Sequence, residues 1–150
     1  MTDLARSSFV YVTYIRTTPA RLWTALTDSD FTRQYWLGAR AESDWKPGSS
    51  WRLAFDDGRI ADAGEIVEID PPKRLVIQWR NEFKPELKAE GYSRCTMELE
   101  PTGDVVKLTI AHEMNRAESK FIQAVSGGWP LILSNLKSLL ETGEILVKSK

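Results

Sequence analysis

The chain has one cysteine, Cys95, and one histidine, His112, in 150 residues. A single cysteine excludes an intrachain disulfide, and a single histidine excludes a metal centre built on paired histidines. The sequence contains no C-x-x-C, no H-E-x-x-H, no glycine-rich phosphate loop and no G-x-S-x-G. No apolar run approaches the roughly 20 residues that cross a bilayer, and the N-terminus lacks the form of a signal peptide. Neither sign of charge dominates: 20 Lys and Arg stand against 21 Asp and Glu, scattered along the chain, so no basic face for nucleic acid or anionic membrane is evident. These absences predict a cytoplasmic protein with no metal, cofactor, nucleic-acid partner or membrane span. Its length suits one domain over residues 1–150 that buries about two-thirds of its unfolded surface.

The sequence is well supplied with aromatics and turn signals. "SFVYVTYIR" (Ser8 to Arg16) is β-branched and aromatic and reads as a first strand. Thr18 and Pro19 open a helix whose apolar face is Leu22, Trp23, Ala25 and Leu26; Asp28 or Ser29 caps a second that ends near Trp36. From there to Glu113 the turns "KPGS", "DDGR", "DPPK" and "PTGD" separate short alternating runs: "SWRLAF", "RIADAGEIVEI", "RLVIQWR", "YSRCTMELE" and "VVKLTIAHEM". A shorter strand is expected near Leu37 to Ala41. The pattern is an antiparallel meander, and the charged connection "NEFKPELKAEG" is expected to be a solvent-facing loop or a frayed hairpin end.

Alternation assigns the faces. Val106, Leu108, Ile110, His112 and Met114 share one side, with Cys95, Met97 and Leu99, with Leu75, Ile77 and Trp79, and with Trp51, Leu53 and Phe55. In "GEIVEI" Ile66 opposes Val67 and Ile69, which a bulge at Gly64 would explain. The apolar face requires a cover. After a capping box at Asn115 and Glu118, Ile122, Val125, Trp129, Ile132, Leu136 and Leu139 recur at spacings of three and four, and Gly143 stops the helix. Inside this helix stand Gly127, Gly128 and Pro130. The glycines cost about 1 kcal/mol each and the proline about 3 relative to alanine, which predicts a break or kink near Pro130.

The order β-α-α-β(six)-α is an α+β arrangement in which a curved antiparallel sheet grips one long helix. The segments "IRTTPARLWTALTDSDFTRQYW", "GEIVEIDPPKRLVIQW", "MELEPTGDVVKLTIAHE" and "GGWPLILSNLKSLLETG" together resemble the domain of the Hsp90-ATPase-activator homologues, within the START-like helix-grip superfamily. The resemblance implies a cavity between helix and sheet, with Gly128-Trp129 matching a Gly-Trp pair of the family's long helix and Pro130 an addition. On that basis the glycines let the helix bend, Trp129 roofs the cavity, and Pro130 leaves the Ser126 carbonyl without its helical donor.

Candidate binding residues follow from the inward rows and from the helix above them. They are Trp51, Phe55, Ile77, Trp79, Cys95, Met97, Ile110, His112 and Met114 on the sheet, and Phe121, Val125 and Trp129 on the helix, a set suited to a planar or hydrophobic guest. The same residues suit an ordinary filled core. His112 either offers a polar group to a ligand or is satisfied by a neighbouring backbone group near the strand end, and Cys95 reads as a small buried hydrophobe rather than a nucleophile paired with His112. No catalytic residue is assigned: Asp56 and Asp57, Glu98 and Glu100, and Glu141 and Glu144 read as solvated charges. The leading expectation is a binding module for a small hydrophobic or aromatic molecule. A protein-interaction role like that of Hsp90 co-chaperones, and a polyketide cyclase-like enzyme working by cavity shape, are the alternatives.

Overall fold

The computed structural model describes residues 6–148. Strand β1 (Ser7–Ile15) leads into helices α1 (Pro19–Thr27) and α2 (Ser29–Tyr35). Six strands follow: β2 (Arg40–Ser43), β3 (Ser50–Ala54), β4 (Ile60–Asp70), β5 (Arg74–Asn81), β6 (Ser93–Thr102) and β7 (Val105–Met114). A one-turn helix, α3 (Pro85–Lys88), interrupts the last hairpins, and α4 (Lys120–Thr142) closes the fold. The strands form one antiparallel sheet ordered β1-β7-β6-β5-β4-β3-β2, the helix-grip arrangement. Beneath the sheet α4 packs on β1, β7 and α2, and the core lies between them. No helix among the described residues is long and apolar enough to cross a membrane.

Local chemistry accounts for the elements. Thr18 caps α1 by accepting from Arg21 N–H, and Asp28 both ends α1 and caps α2 by accepting from Phe31 N–H. Inward rows of β5, β6 and β7 are buried as alternation requires: Leu75, Ile77 and Trp79; Cys95, Met97 and Leu99; Val106, Leu108, Ile110, His112 and Met114. Gly143, with φ 86°, terminates α4 in the left-handed conformation.

Several details differ from the sequence reading. The second strand begins at Arg40 rather than Leu37, because Leu37 and Gly38 turn the chain with φ of 52° and 91°. The bulge in β4 lies at Val67 and not at Gly64: pairing passes from Ile66↔Ile77 to Glu68↔Val76, leaving Val67 unpaired and exposed. A second irregularity pairs Leu53 with Asp62 but Ala54 with Ile60, so Ala61 is the extra residue. Ala54 is buried there, and Phe55, just beyond the end of β3, is half-buried at the rim of the core, edge-on to Phe83 with the Arg59 guanidinium over its ring. "NEFKPELKAEG" is solvent-facing as expected but not frayed: it holds the α3 turn, whose Leu87 is buried.

The start of α4 is likewise set by distant residues. Ser119, not Asn115, is its N-cap, because Glu118 has φ 53° and lies outside the helix. Ser119 Oγ accepts from Ile122 N–H and donates to the Glu90 carboxylate at 2.6 Å; Glu90 also accepts from Lys120 and Phe121 N–H. Burial alone would raise the Glu90 carboxyl, but these bonds outweigh it and hold the group below its ordinary value. Helix α4 runs unbroken through Gly127, Gly128 and Pro130, without the expected break.

Gly64 has a different role from the one expected of it. It pairs with Trp51 on one side and Trp79 on the other, and the two indoles meet across it with centroids 4.3 Å apart. A Cβ at Gly64 would stand 1.6 Å from the Gln78 carbonyl oxygen, which is backbone and cannot step aside. Gly64→Ala is therefore expected to destabilise the protein by about 3 kcal/mol, measured as a fall in urea midpoint. An unchanged midpoint would show that the strand spacing is not fixed at this residue.

Candidate functional site

The sheet and α4 meet over a continuous aromatic cluster. Trp36, at the end of α2, lies 5.2 Å from Trp129 and 6.1 Å from Trp79 between ring centroids; Trp79 and Trp129 are 5.7 Å apart and T-shaped. Trp79 also contacts Trp51, and the His112 ring packs edge-on against Trp79 and Phe121. Such tilted and edge-on pairs add about 0.5–1.5 kcal/mol each beyond burial.

One hydrogen-bonded chain runs through this cluster. Trp129 Nε1–H donates to His112 Nδ1 at 3.1 Å, so Nδ1 is the unprotonated nitrogen and His112 Nε2–H donates to Ser93 Oγ at 2.8 Å. Ser93 Oγ–H in turn donates to the Trp79 carbonyl at 3.0 Å. Every polar atom in the chain is used, and the neutral imidazole is the form that fits. Burial lowers the His112 pKa from 6.5 to about 3. His112 is thus satisfied by the side chains of Trp129 and Ser93, not by the backbone group expected, and offers neither ring nitrogen to a guest. Cys95 stands opposite His112 in the β6–β7 register, but both imidazole nitrogens are engaged elsewhere and burial pushes the thiol well above its ordinary value. A thiolate nucleophile has no support there.

Where the cluster reaches the surface, a cleft of about 180 Å³ opens between α4 and the ends of β4 and β5. Its walls include Trp36, Trp79, Phe121, Val125 and Trp129, and Gly128 leaves space rather than filling it. Asp62 and Asn81 bring polar groups to the same place; they are register partners across β4 and β5. Burial pushes the Asp62 carboxyl up to about 6, assisted by the like charge of Glu82 and opposed by the nearby Trp79 indole N–H and the Asn81 side chain. A carboxylate poised near neutrality beside an amide is what proton transfer or cation binding uses. Among the described residues no three of His, Cys, Asp and Glu converge as a metal site.

Of the residues expected from sequence, Trp79, Phe121, Val125 and Trp129 line this cleft. Trp51, Ile77, Cys95, Met97, Ile110, His112 and Met114 lie in the packed interior instead, and Phe55 is at the edge beside Phe83. Trp36, Asp62, Asn81, Gly128 and Ile132 line the cleft without having been expected to. A signal existed for two of them. Asp62 shares the parity of Gly64 and Ile66, and Asn81 that of Ile77 and Trp79, which places both on the inward face.

The comparisons agree with this architecture. The sequence model of the family described as "Activator of Hsp90 ATPase homolog 1-like protein" matches residues 16–141. Protein MLL2253 from Mesorhizobium loti has a similar structure, with a TM-score of 0.77 at 23% identity over 93% of this chain and 100% of that one. An HSP90 activator from Plasmodium falciparum, PFC0360w, gives 0.71 at 26% identity over 89% and 95%. CalU16 from Micromonospora echinospora gives 0.71 at 22% over 89% and 74%. Among curated proteins none matches.

The two perturbed groups make opposite contributions to acid stability. His112 has a folded value below its unfolded one, so the unfolded chain binds the proton first and stability is lost as pH falls from 6.5 toward about 3. Asp62 is raised on folding, so its contribution is fully present below 3.8 and lost as pH rises through about 6. Asp62→Asn removes the offset. Its urea midpoint is expected to fall more steeply than that of the wild type between about pH 6.5 and pH 4, and parallel profiles would show that Asp62 does not titrate in that window.

Proposed function

Since the chain belongs to the family of Activator of Hsp90 ATPase homolog 1-like proteins, we propose that it is a cytoplasmic binding domain that holds a small hydrophobic or aromatic molecule in the cleft between sheet and C-terminal helix. The observation that carries this reading is Gly128. A helix-interior glycine costs about 1 kcal/mol relative to alanine, yet a Cβ here would meet nothing within 4 Å, so packing does not require it. What the missing side chain preserves is the cleft. The volume sets the guest's size. At about 180 Å³ the cleft is smaller than the roughly 300–1,000 Å³ of drug-sized sites, so it suits a single ring or the end of a longer molecule that continues into solvent.

A protein-partner role is the second reading, supported by a separate surface. Val10, Val12 and Tyr14 are 59%, 43% and 49% exposed in one row on the edge strand β1, away from the cleft. Apolar side chains in line on a sheet edge suit contact with another protein. One structural neighbour is named as an HSP90 activator.

Native mass spectrometry of protein purified from its own source, compared with its denatured mass, tests the ligand reading. A small adduct lost on denaturation is expected, and Gly128→Leu, which projects into the cleft, is expected to lose it while remaining folded. Gly128→Ala is expected to raise stability by about 0.5–1 kcal/mol. An apo mass, together with a specific partner whose capture Val12→Glu abolishes, would favour the second reading instead.

A further inference from the structure

The cleft contains a charge that no side chain neutralises. Asp62 is partly buried at the cleft, and among the described residues no ion pair includes it. The charged group acting on it is Glu82, of the same sign and itself engaged by Arg80 and Lys88. Only neutral donors, the Trp79 indole and Asn81, lean toward the carboxylate. The Trp79 Nε1–H is fully buried and completes no hydrogen bond of its own. A carboxylate withdrawn from water without a counter-charge is unfavourable, and one that sits in a cleft is a candidate for completion by a ligand.

The walls select the sign of that ligand. Trp36, Trp79, Phe121 and Trp129 surround the opening, and aromatic faces attract cations while disfavouring anions. We propose that the cleft recognises a basic amine, with a protonated ammonium donating to Asp62 and a compact apolar body held against Trp79 and Trp129. This rests on the ligand reading given above and narrows it to cationic guests. The ammonium supplies the positive charge missing beside Asp62, and the unpaired Trp79 indole N–H and the Asn81 side chain stand beside the same carboxylate. Hydroxyl compounds share the donor but not the charge, and carboxylates would meet Asp62 with like charge.

Benzylamine, benzyl alcohol and benzoate have the same ring and differ in the polar group, so titrating each into the full chain while following the indole N–H signals by NMR separates these cases. Benzylamine is expected to bind about ten-fold more tightly than benzyl alcohol, the increment of one charge-assisted hydrogen bond, and to move the Trp79 and Trp129 signals. Benzoate is expected to leave them unmoved. Asp62→Asn is expected to remove the advantage of benzylamine without changing the affinity for benzyl alcohol. Equal binding of benzylamine and benzyl alcohol, or tighter binding of benzoate, would overturn the cationic assignment while leaving the cleft a ligand site. Indole signals unmoved by all three would overturn both readings. The wild-type ranking stands without the variant, so the outcome does not depend on whether Asp62→Asn folds.

Discussion

The bond from Trp129 to His112 fixes the relation of the long helix to the sheet. Apolar contacts between helix and sheet are non-directional and would tolerate small slides and rotations. A buried indole N–H that must find one imidazole nitrogen tolerates far less, since leaving either group unpaired costs about 1–3 kcal/mol. The chain continues from His112 through Ser93 to the Trp79 carbonyl, so one line of donors and acceptors joins α4 to β7, β6 and β5. The Trp129 indole and the main chain of Trp79 therefore stand at opposite ends of the same network. Two of the residues that line the cleft are thus joined through the packed interior, where most of the binding residues expected from sequence lie.

This arrangement explains why the helix carries residues that weaken it. Pro130 supplies no N–H to the Ser126 carbonyl, and Gly127 and Gly128 give up propensity, yet α4 remains continuous across all three. Tertiary restraint substitutes for local preference: Trp129, in the middle of the weak segment, is buried and hydrogen-bonded. No backbone approach forces a glycine at 127 or 128, in contrast to Gly64, where the Gln78 carbonyl leaves no room for any side chain. Gly64 is structural, and Gly128 belongs to the opening. Stability surrendered at an open position beside a pocket is the pattern expected where function competes with packing.

The sequence carried the fold because each strand kept its alternation and each turn its residues, and both are local. It failed where one residue's environment was decided by another strand. Phe55 continues the Trp51–Leu53 row in sequence, but β3 ends at Ala54 and Phe55 lies at the rim of the core beside Phe83. The same period-two logic, applied upstream from Ile66 without a bulge at Gly64, turns Asp62 inward. Asn115 and Glu118 have the form of a capping box, but the real cap is Ser119 with Glu90, about 30 residues distant, and no local pattern encodes that pairing. Asn135 depends on distant partners in the same way: it is buried, donates to the Tyr35 and Val147 carbonyls, and accepts from Leu146 and Val147 N–H, holding the segment after α4 against the core.

His112 and Asp62 lie in or beside this aromatic cluster, and they differ in how far their bonding is complete. His112 is buried completely, yet its neutral form has a partner for each nitrogen, so its low basicity follows from a settled structure. Asp62 is less buried and less settled: its raised pKa arises from desolvation and a like charge, with neutral donors only partly offsetting them. A group perturbed because its bonding is complete has nothing left to offer a guest. A group perturbed because its bonding is incomplete has both the capacity and the free-energy incentive to take one. The interior end of the cluster is therefore scaffold, and the bonding left incomplete lies at the other end, at Asp62, Asn81 and the unpaired Trp79 indole N–H.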